Sequence, residues 1–293
     1  EVWTFHEYGG PVFRKIRETC GVAVPDYLAS LGLEITLGNL LLGKLVNFEE
    51  ISSSGRSGSF FLRSHNTKLL IKSLPVDEHS FLKKNLWKYY RHIRDNPDTL
   101  LVRFFGLYRV KSASREVHFV IMANLFDTPL EIHEQYDLKG STVNRYVGDK
   151  MAYWSPNIAM KDLDFHRFIQ IGPERKAKFI QQAEVDSIFM ETFNICDYSL
   201  LVGFNFSDSS TVDTSLPKSA MGSLGFMAGT PSFPEEYVTY YLCNLIDILT
   251  QYNLKKRGES AIKSIVHKKS QISAISPDPY RKRFIRFLIS ILK

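Results

Sequence analysis

Long apolar runs are missing from this chain. No stretch in its 293 residues approaches the roughly 20 consecutive apolar residues of a membrane-spanning helix. Cysteine is scarce. Cys20, Cys196 and Cys243 are an odd number without metal-ligand spacing, so they read as small buried residues of a reducing compartment rather than zinc ligands. No G-K-[ST] triplet closes a glycine loop, which removes the Walker A reading. No internal repeat is visible. The first residue is Glu1, so the sequence reads as a fragment, compatible with a removed targeting segment.

Core-forming residues are plentiful. The chain is 44% hydrophobic and 13% aromatic, enough for one large or two coupled domains of roughly 100–200 residues each. Net charge is +6, unevenly placed. Between Tyr252 and Lys293, eleven Lys and Arg face only Glu259 and Asp278, a net of +9, and the other 251 residues carry −3. Such a cluster suits an anionic partner, nucleic acid or an anionic lipid face, or is simply a solvated helix face. The apolar residues of the tail are mainly aliphatic, with no evident stacking platform, which disfavours nucleic acid.

Periodicity predicts an antiparallel first lobe. Residues 10–31 read as two short helices broken at Gly21 to Pro25. Residues 47–73 read as strand, Gly/Ser loop, strand, polar turn at 64–67, and strand. Residues 78–94 form an amphipathic helix with Phe81, Leu82, Leu86, Tyr89, Tyr90 and Ile93 on one side. A strand pair follows around a polar loop at 112–116. In the second part, 174–195 is helical, with Phe179, Ala183, Ile188, Phe189 and Phe193 expected on its buried face. "YSLLVGFNF" is a strand, and 207–232 a long mobile loop. "YVTYYLCNLIDIL" is ambiguous, its β-branched and aromatic start favouring strand. Asp278 to Leu292 is a basic amphipathic helix.

Four stretches could carry chemistry. "SSSGRSGSFF" places Gly55 and Gly58 between strands, where bare backbone can approach a phosphate; hairpins of this composition are also common. Lys72 alternates with apolar neighbours in "LLIKSL" and needs an anionic partner for its buried stem. Asp197 lies between a helix and a strand, and Asp247 sits in an apolar run. Each binds a cation or forms a structural salt bridge. "YDLKGSTVNRY" (136–146) is either a solvated turn or a phosphate cradle. Loop, lysine, Asp, Asp is the order of parts in two-lobed kinases. "HRD" and "DFG" are absent, so the protein-kinase type is not indicated.

"DLKGSTVNR" (137–145), "CDYSLLVG" (196–203), "LIDILTQY" (245–252) and "SGRSGSFF" (54–61) together resemble the phosphatidylinositol-phosphate kinases, and the likeness covers nearly the whole chain. It implies an α+β, two-lobed lipid-kinase fold distantly related to protein kinases, with antiparallel sheets and packed helices. The N-terminal lobe would be 1–123 and the C-terminal lobe 124–293. ATP and Mg²⁺ would be cosubstrates. The resemblance implies that Ser57, Gly58, Ser59 and Lys72 hold the ATP phosphates, with Met122, Asn124 and Leu125 at the hinge. Asp197 would be the catalytic Asp and Asp247 the Mg²⁺ ligand. Lys139 would reach the transferring phosphate or the headgroup, and Arg145 would hold the headgroup or brace the loop. Gly140 would let the backbone turn so that Lys139 points into the cleft.

The same resemblance assigns 248–277 as an activation segment. Lys256 and Arg257 match a dibasic pair, and Glu259 matches the glutamate of type I enzymes. This implies phosphatidylinositol 4-phosphate as substrate and its 5-hydroxyl as acceptor. Action on phosphatidylinositol 3-phosphate, or a phosphoinositide-binding scaffold with vestigial activity, stays open. Leu254, Ile262, Ile265 and Val266 interleave with cations, as in a segment lying on an anionic interface. A peripheral place on the cytosolic face of a membrane, the plasma membrane foremost, follows, with pairing of two copies through the N-terminal region. Two positions depart from the pattern: Gly258 replaces the usual apolar residue before the Glu, and Cys196 stands where Met is usual.

Overall fold

A computed structural model of the chain describes residues 2, 4–32, 48–51, 60–148, 158–208, 226–228, 237–268 and 271–293. The chain divides into two compact units, Glu1–Pro97 with Val102–Asp127, and Asp98–Leu101 with Thr128–Lys293.

The first unit is built on a six-stranded antiparallel sheet. Its strands are β1 (Thr4–Tyr8), β2 (Phe48–Ile51), β3 (Phe61–Ser64), β4 (Leu69–Leu74), β5 (Phe104–Lys111) and β6 (Glu116–Ala123). The order across the sheet is β1-β5-β6-β4-β3-β2. Lys72 of β4 lies opposite Val120 of β6 and Phe61 of β3. Helices α1 (Gly10–Thr19), α2 (Val24–Leu31) and α3 (Val76–Asp95) accompany the sheet. Pro11 opens α1, where its missing N–H is no loss. Phe13 and Ile16 of α1 are fully buried, and Arg17 beside them donates from Nη1 to the Phe105 carbonyl at 2.5 Å. Along α3, Leu82, Leu86, Tyr89 and Ile93 recur at helical spacing and are buried. Each contributes about 1.5–3 kcal/mol by leaving water. Phe81, expected with them, is only half-buried.

The second unit carries a four-stranded antiparallel sheet ordered β7-β8-β10-β9. The strands are β7 (Glu134–Leu138), β8 (Ser199–Asp208), β9 (Phe226–Ala228) and β10 (Tyr237–Ile246). The stretch ambiguous in sequence is thus a strand, and Tyr241, Leu242, Cys243 and Leu245 are buried in it. The expected loop at 207–232 needs correcting at both described parts: Ser207 and Asp208 end β8, and 226–228 pairs with Tyr240 to Leu242 of β10. The rest of that loop lies outside the described residues.

The described helices of this unit are α4 (Gly172–Thr192), α5 (Leu254–Val266) and α6 (Pro277–Ile291), with a short 3-10 turn at Asp162–Asp164. The α4 and α6 helices pack together; Phe179, Ala183 and Met190 of α4 and Tyr280, Phe284 and Leu288 of α6 are buried. The buried face of α4 differs from the expected one. Ile188 is 51% exposed, Phe189 and Phe193 are half-buried, and Asp186 and Ser187 are inside instead. The reason is a polar partner. Asp186 accepts from Thr99 Oγ1 at 2.6 Å and from the Leu100 amide at 2.7 Å. Those hydrogen bonds satisfy a carboxylate that burial would otherwise penalise. They also tie Asp98–Leu101 to the second unit, and Leu245 donates its amide to Leu100.

Candidate active site

Antiparallel register gathers three side chains at one end of the second sheet. Leu200, near the start of β8, pairs with Leu138 at the end of β7 and with Leu245 near the end of β10. Lys139 follows β7, Asp197 precedes β8 and Asp247 follows β10, so all three leave the sheet at the same end. Both aspartates adopt left-handed backbone, with φ 66° at Asp197 and φ 59° at Asp247. Asp tolerates that region better than most side chains. The segments that carry them are stitched together. Cys196 donates its amide to the Thr250 carbonyl, Tyr252 donates to Asn194, and Ile195 bridges Gln251. Beneath Asp197, the Tyr198 ring packs edge-on to Tyr280 at 4.7 Å, and the Tyr280 hydroxyl donates to the Tyr198 carbonyl.

Asp197 is gripped by two ammonium groups. Lys139 Nζ lies 3.1 Å from Oδ1 and 2.5 Å from the Asp197 carbonyl. Lys256 Nζ lies 2.6 Å from Oδ2. Burial works against the Asp197 charge, but the two lysines and a hydrogen bond from Ser273 outweigh it and hold the carboxyl far below the usual carboxylate range. Burial likewise disfavours the Lys139 cation, and the carboxylates of Asp197, Asp137 and Asp247 outweigh that and raise its pKa. The neighbouring Cys196 thiol is pushed up to about 12 by burial and by the Asp197 charge, so it stays protonated.

The expected dibasic pair is split. Lys256 turns inward, while Arg257 is exposed, its guanidinium 5.8 Å from the Tyr252 ring centre. Glu259 joins Lys256 at 3.1 Å and Lys263 at 2.5 Å, so it steadies the amine that touches Asp197. On the same helix Leu254 is 81% and Ile262 69% exposed.

Arg145 is buried and ion-paired on both sides. Its Nε meets Asp162 at 2.6 Å, and Nη2 meets the Asp137 carboxylate at 2.9 Å and the Asp137 carbonyl. Of its two expected roles, this is the geometry of a brace. Gly140 has φ +64°, and a Cβ there would stand 2.8 Å from Phe287 Cβ.

The other expected site residues belong to the first unit or fall outside the described residues. Lys72 Nζ lies 5.5 Å from the Phe61 ring centre. Met122 is buried on β6 opposite Leu70. Asn124 holds a turn, donating from its side chain to the Thr67 carbonyl and accepting from the Phe126 amide. Leu125 is buried. Ser57, Gly58 and Ser59 lie outside the described residues.

Comparison with known proteins shows the family. The family described as Phosphatidylinositol-4-phosphate 5-Kinase matches residues 43–223 and 218–291. The chain belongs to this family. A probable phosphatidylinositol phosphate kinase of Dictyostelium discoideum is 34% identical, over 99% of this chain and 48% of its own length. The phosphatidylinositol 4-phosphate 5-kinase its3 of Schizosaccharomyces pombe is 31% identical, over 99% of this chain and 46% of its own length. Human phosphatidylinositol 5-phosphate 4-kinase type-2 gamma is 30% identical, over 98% of this chain and 76% of its own length. The chain spans about half the length, or less, of the first three curated relatives it matches.

Sequence pattern does not single out Asp137, Asp162 or Ser273, which pair with Arg145 or Asp197 in the fold. Asp137 stands inside the quoted "DLKGS" stretch. "KDLDF" (161–165) puts two carboxylates on either side of one leucine, a signal that could have drawn notice to Asp162.

Proposed function

We propose that this chain is the catalytic portion of a lipid kinase. It moves the terminal phosphoryl group of ATP to the 5-hydroxyl of phosphatidylinositol 4-phosphate, giving phosphatidylinositol 4,5-bisphosphate and ADP at an anionic membrane surface. The observation that carries this reading is Asp197, a carboxylate held ionised between Lys139 and Lys256.

Each residue then has a task. Asp197 orients the inositol hydroxyl and takes its proton as the oxygen bonds to phosphorus. Lys139 offers its ammonium to the charge on the phosphoryl oxygens in transit. In the first unit, Lys72 neutralises the nucleotide phosphates. Asp247 supplies a hard carboxylate oxygen for Mg²⁺. A single carboxylate is enough for such a role, because Mg²⁺ is usually held by one or two carboxylates together with nucleotide phosphates and water. Bound there, Mg²⁺ would supply positive charge against the developing charge of the transferring phosphate.

Substrate choice falls to α5. Glu259 restrains Lys256, and Lys256 rests on Asp197 Oδ2, so a headgroup phosphate brought to that carboxylate would compete for its amine. The exposed Leu254 and Ile262 suit an interfacial helix, with each nearby cation adding about 1 kcal/mol at an anionic surface. Among the described residues no helix is long and apolar enough to cross a membrane.

Transfer of label from ATP to phosphoinositides in anionic vesicles, with isomers separated, tests the reading. Product from phosphatidylinositol 4-phosphate, lost in Asp247→Asn, is expected. Wild-type turnover unchanged by Asp247→Asn would remove Asp247 from the site.

A further inference from the structure

The "DLKGSTVNRY" stretch is held in place by a second acidic pair. Asp162 and Asp164 lie on a single 3-10 turn, Asp162–Asp164. The Asp162 side chain is 5% exposed. Its Oδ1 accepts from three successive amides: Lys139 at 2.9 Å, Gly140 at 2.7 Å and Ser141 at 3.4 Å. Its Oδ2 accepts from Arg145 Nε at 2.6 Å. Asp164 does the same work further along, accepting from the amides of Val147 at 3.0 Å and Gly148 at 2.9 Å. Two carboxylates on one turn therefore fasten both ends of the segment from Lys139 to Gly148.

The two parts of the Asp162 contact answer different needs. Arg145 would satisfy the buried charge by itself, because a bonded guanidinium is the usual partner of a buried carboxylate. The converging amides do something else. Three consecutive N–H groups aimed at one oxygen form an anion nest, and a nest fixes the backbone of the residues that make it. One of those residues is Lys139, whose ammonium rests on Asp197. The chain turns sharply just beyond it at Gly140, with φ +64°. Without the carboxylate, the turn loses its three acceptor contacts and the Lys139 stem loses its fixed origin.

We infer that Asp162 is a positioning residue for phosphoryl transfer, acting through Lys139. The inference rests on the reaction proposed above. It assigns Asp162 no contact with nucleotide or lipid.

Two measurements test it. Asp162→Asn keeps an oxygen for the amides but removes the charge that draws them together. It should lower kcat by about 10- to 100-fold, the scale of a small displacement of a reacting group. KM for ATP should stay within about twofold. In a Lys139→Ala background the same change should have no further effect, because residues that act through one another are not additive. A purely structural Asp162 would give equal losses in both backgrounds, and that result would overturn the proposal.

The second measurement needs no kinase activity. Lysine methylation of the full chain, read by mass spectrometry, should find Lys139 protected in the wild type and modified at least tenfold faster in Asp162→Asn. Thiol labelling of Cys243, fully buried in β10, should stay unchanged. Equal protection of Lys139 in both proteins, or opening of Cys243 together with Lys139, would overturn the clamp. A wild type inert toward every phosphoinositide isomer, with Lys139 protected by Asp162, would instead sink the reaction.

Discussion

Lys256 Nζ lies 2.6 Å from Asp197 Oδ2, so a helix of the basic segment reaches the carboxylate at the head of β8. Asp197 therefore has a cation on each oxygen, from Lys139 and from Lys256. A carboxylate with two such neighbours is hard to protonate, and each neighbour can be replaced by itself.

The pH dependence of turnover should respond to that removal. Asp197 has a carboxyl held far below its ordinary range, by Lys139 and Lys256 against the effect of burial. Lys256→Ala takes away one of the two cations, so the carboxyl pKa rises and protonation begins at higher pH. The acidic limb of kcat/KM for ATP should move upward in pH, measured at fixed saturating lipid. A limb that stays in place would separate Asp197 from the group being titrated.

Glu259 acts on the same amine. It holds Lys256 at 3.1 Å and Lys263 at 2.5 Å, and these lysines hold its own pKa down against the effect of burial. Glu259→Ala frees Lys256 to follow a differently placed phosphate. Selectivity should broaden towards phosphatidylinositol 5-phosphate, with nucleotide affinity within about twofold of wild type, since only headgroup contacts change. Competition between the two lipid isomers in one vesicle preparation reads this directly. An unchanged isomer ratio would show that Glu259 does not govern the choice.

Gly140→Ala should damage the site from the backbone. It forces φ +64° on a residue with a side chain and drives Cβ to 2.8 Å from Phe287 Cβ. Left-handed strain alone costs about 1–2 kcal/mol, before the clash is relieved. Urea unfolding should show at least that loss. Phe287→Ala in the same background removes the ring but keeps Cβ at 2.8 Å, so it should recover only a small part of the loss.

The first unit contains a separate pH-sensitive contact. His79 is buried, with its ring centre 4.4 Å from that of His118 and 4.9 Å from that of Tyr8. Burial lowers its pKa to about 4, helped by the charges of His118, Lys83 and Arg109 and opposed by Glu116. In the unfolded chain it titrates near 6.5. Between those values the unfolded state binds the extra proton, so stability is full above about pH 6.5 and falls as pH drops towards 4. The loss is on the order of 1–3 kcal/mol. Denaturant melts from pH 7 to 4 should show this slope, reduced in His79→Leu.

Helix α5 has an unfilled weakness. Gly258 lies inside it, and an added Cβ would meet no atom within 4 Å. Gly258→Ala should stabilise the helix by about 0.5–1 kcal/mol. Amide exchange over 254–266 should slow accordingly, and faster exchange would mean that the glycine is needed for packing.

Much of the fold is legible in the sequence because local pattern decides it. Short apolar runs bounded by turn residues give β3 to β6, and helical spacing gives α3 and α6. The strand order is less local, yet the expected pairs form. The buried face of α4 could not be read, because Asp186 is made welcome there by Thr99 and Leu100, 87 and 86 residues away in the chain. The site divides along the same line. Asp197, Asp247 and Lys139 stand out as charges in apolar or glycine-containing surroundings. Asp162 gives only the weaker sign of the paired carboxylates in "KDLDF", since its partners are amides and a guanidinium that only folding brings to it. The inward turn of Lys256 and the outward turn of Arg257 are likewise set by one helix rotation, which adjacent basic residues do not encode.

The most direct measurement is an isomer-resolved lipid kinase assay. The wild-type chain is given labelled ATP, Mg²⁺ and anionic vesicles carrying phosphatidylinositol 4-phosphate, 5-phosphate or 3-phosphate in turn. Phosphatidylinositol 4,5-bisphosphate formed chiefly from the 4-phosphate, and abolished by Asp197→Asn, is the expected result. Preferred product from the 3- or 5-phosphate isomer, or turnover that survives Asp197→Asn, would contradict it.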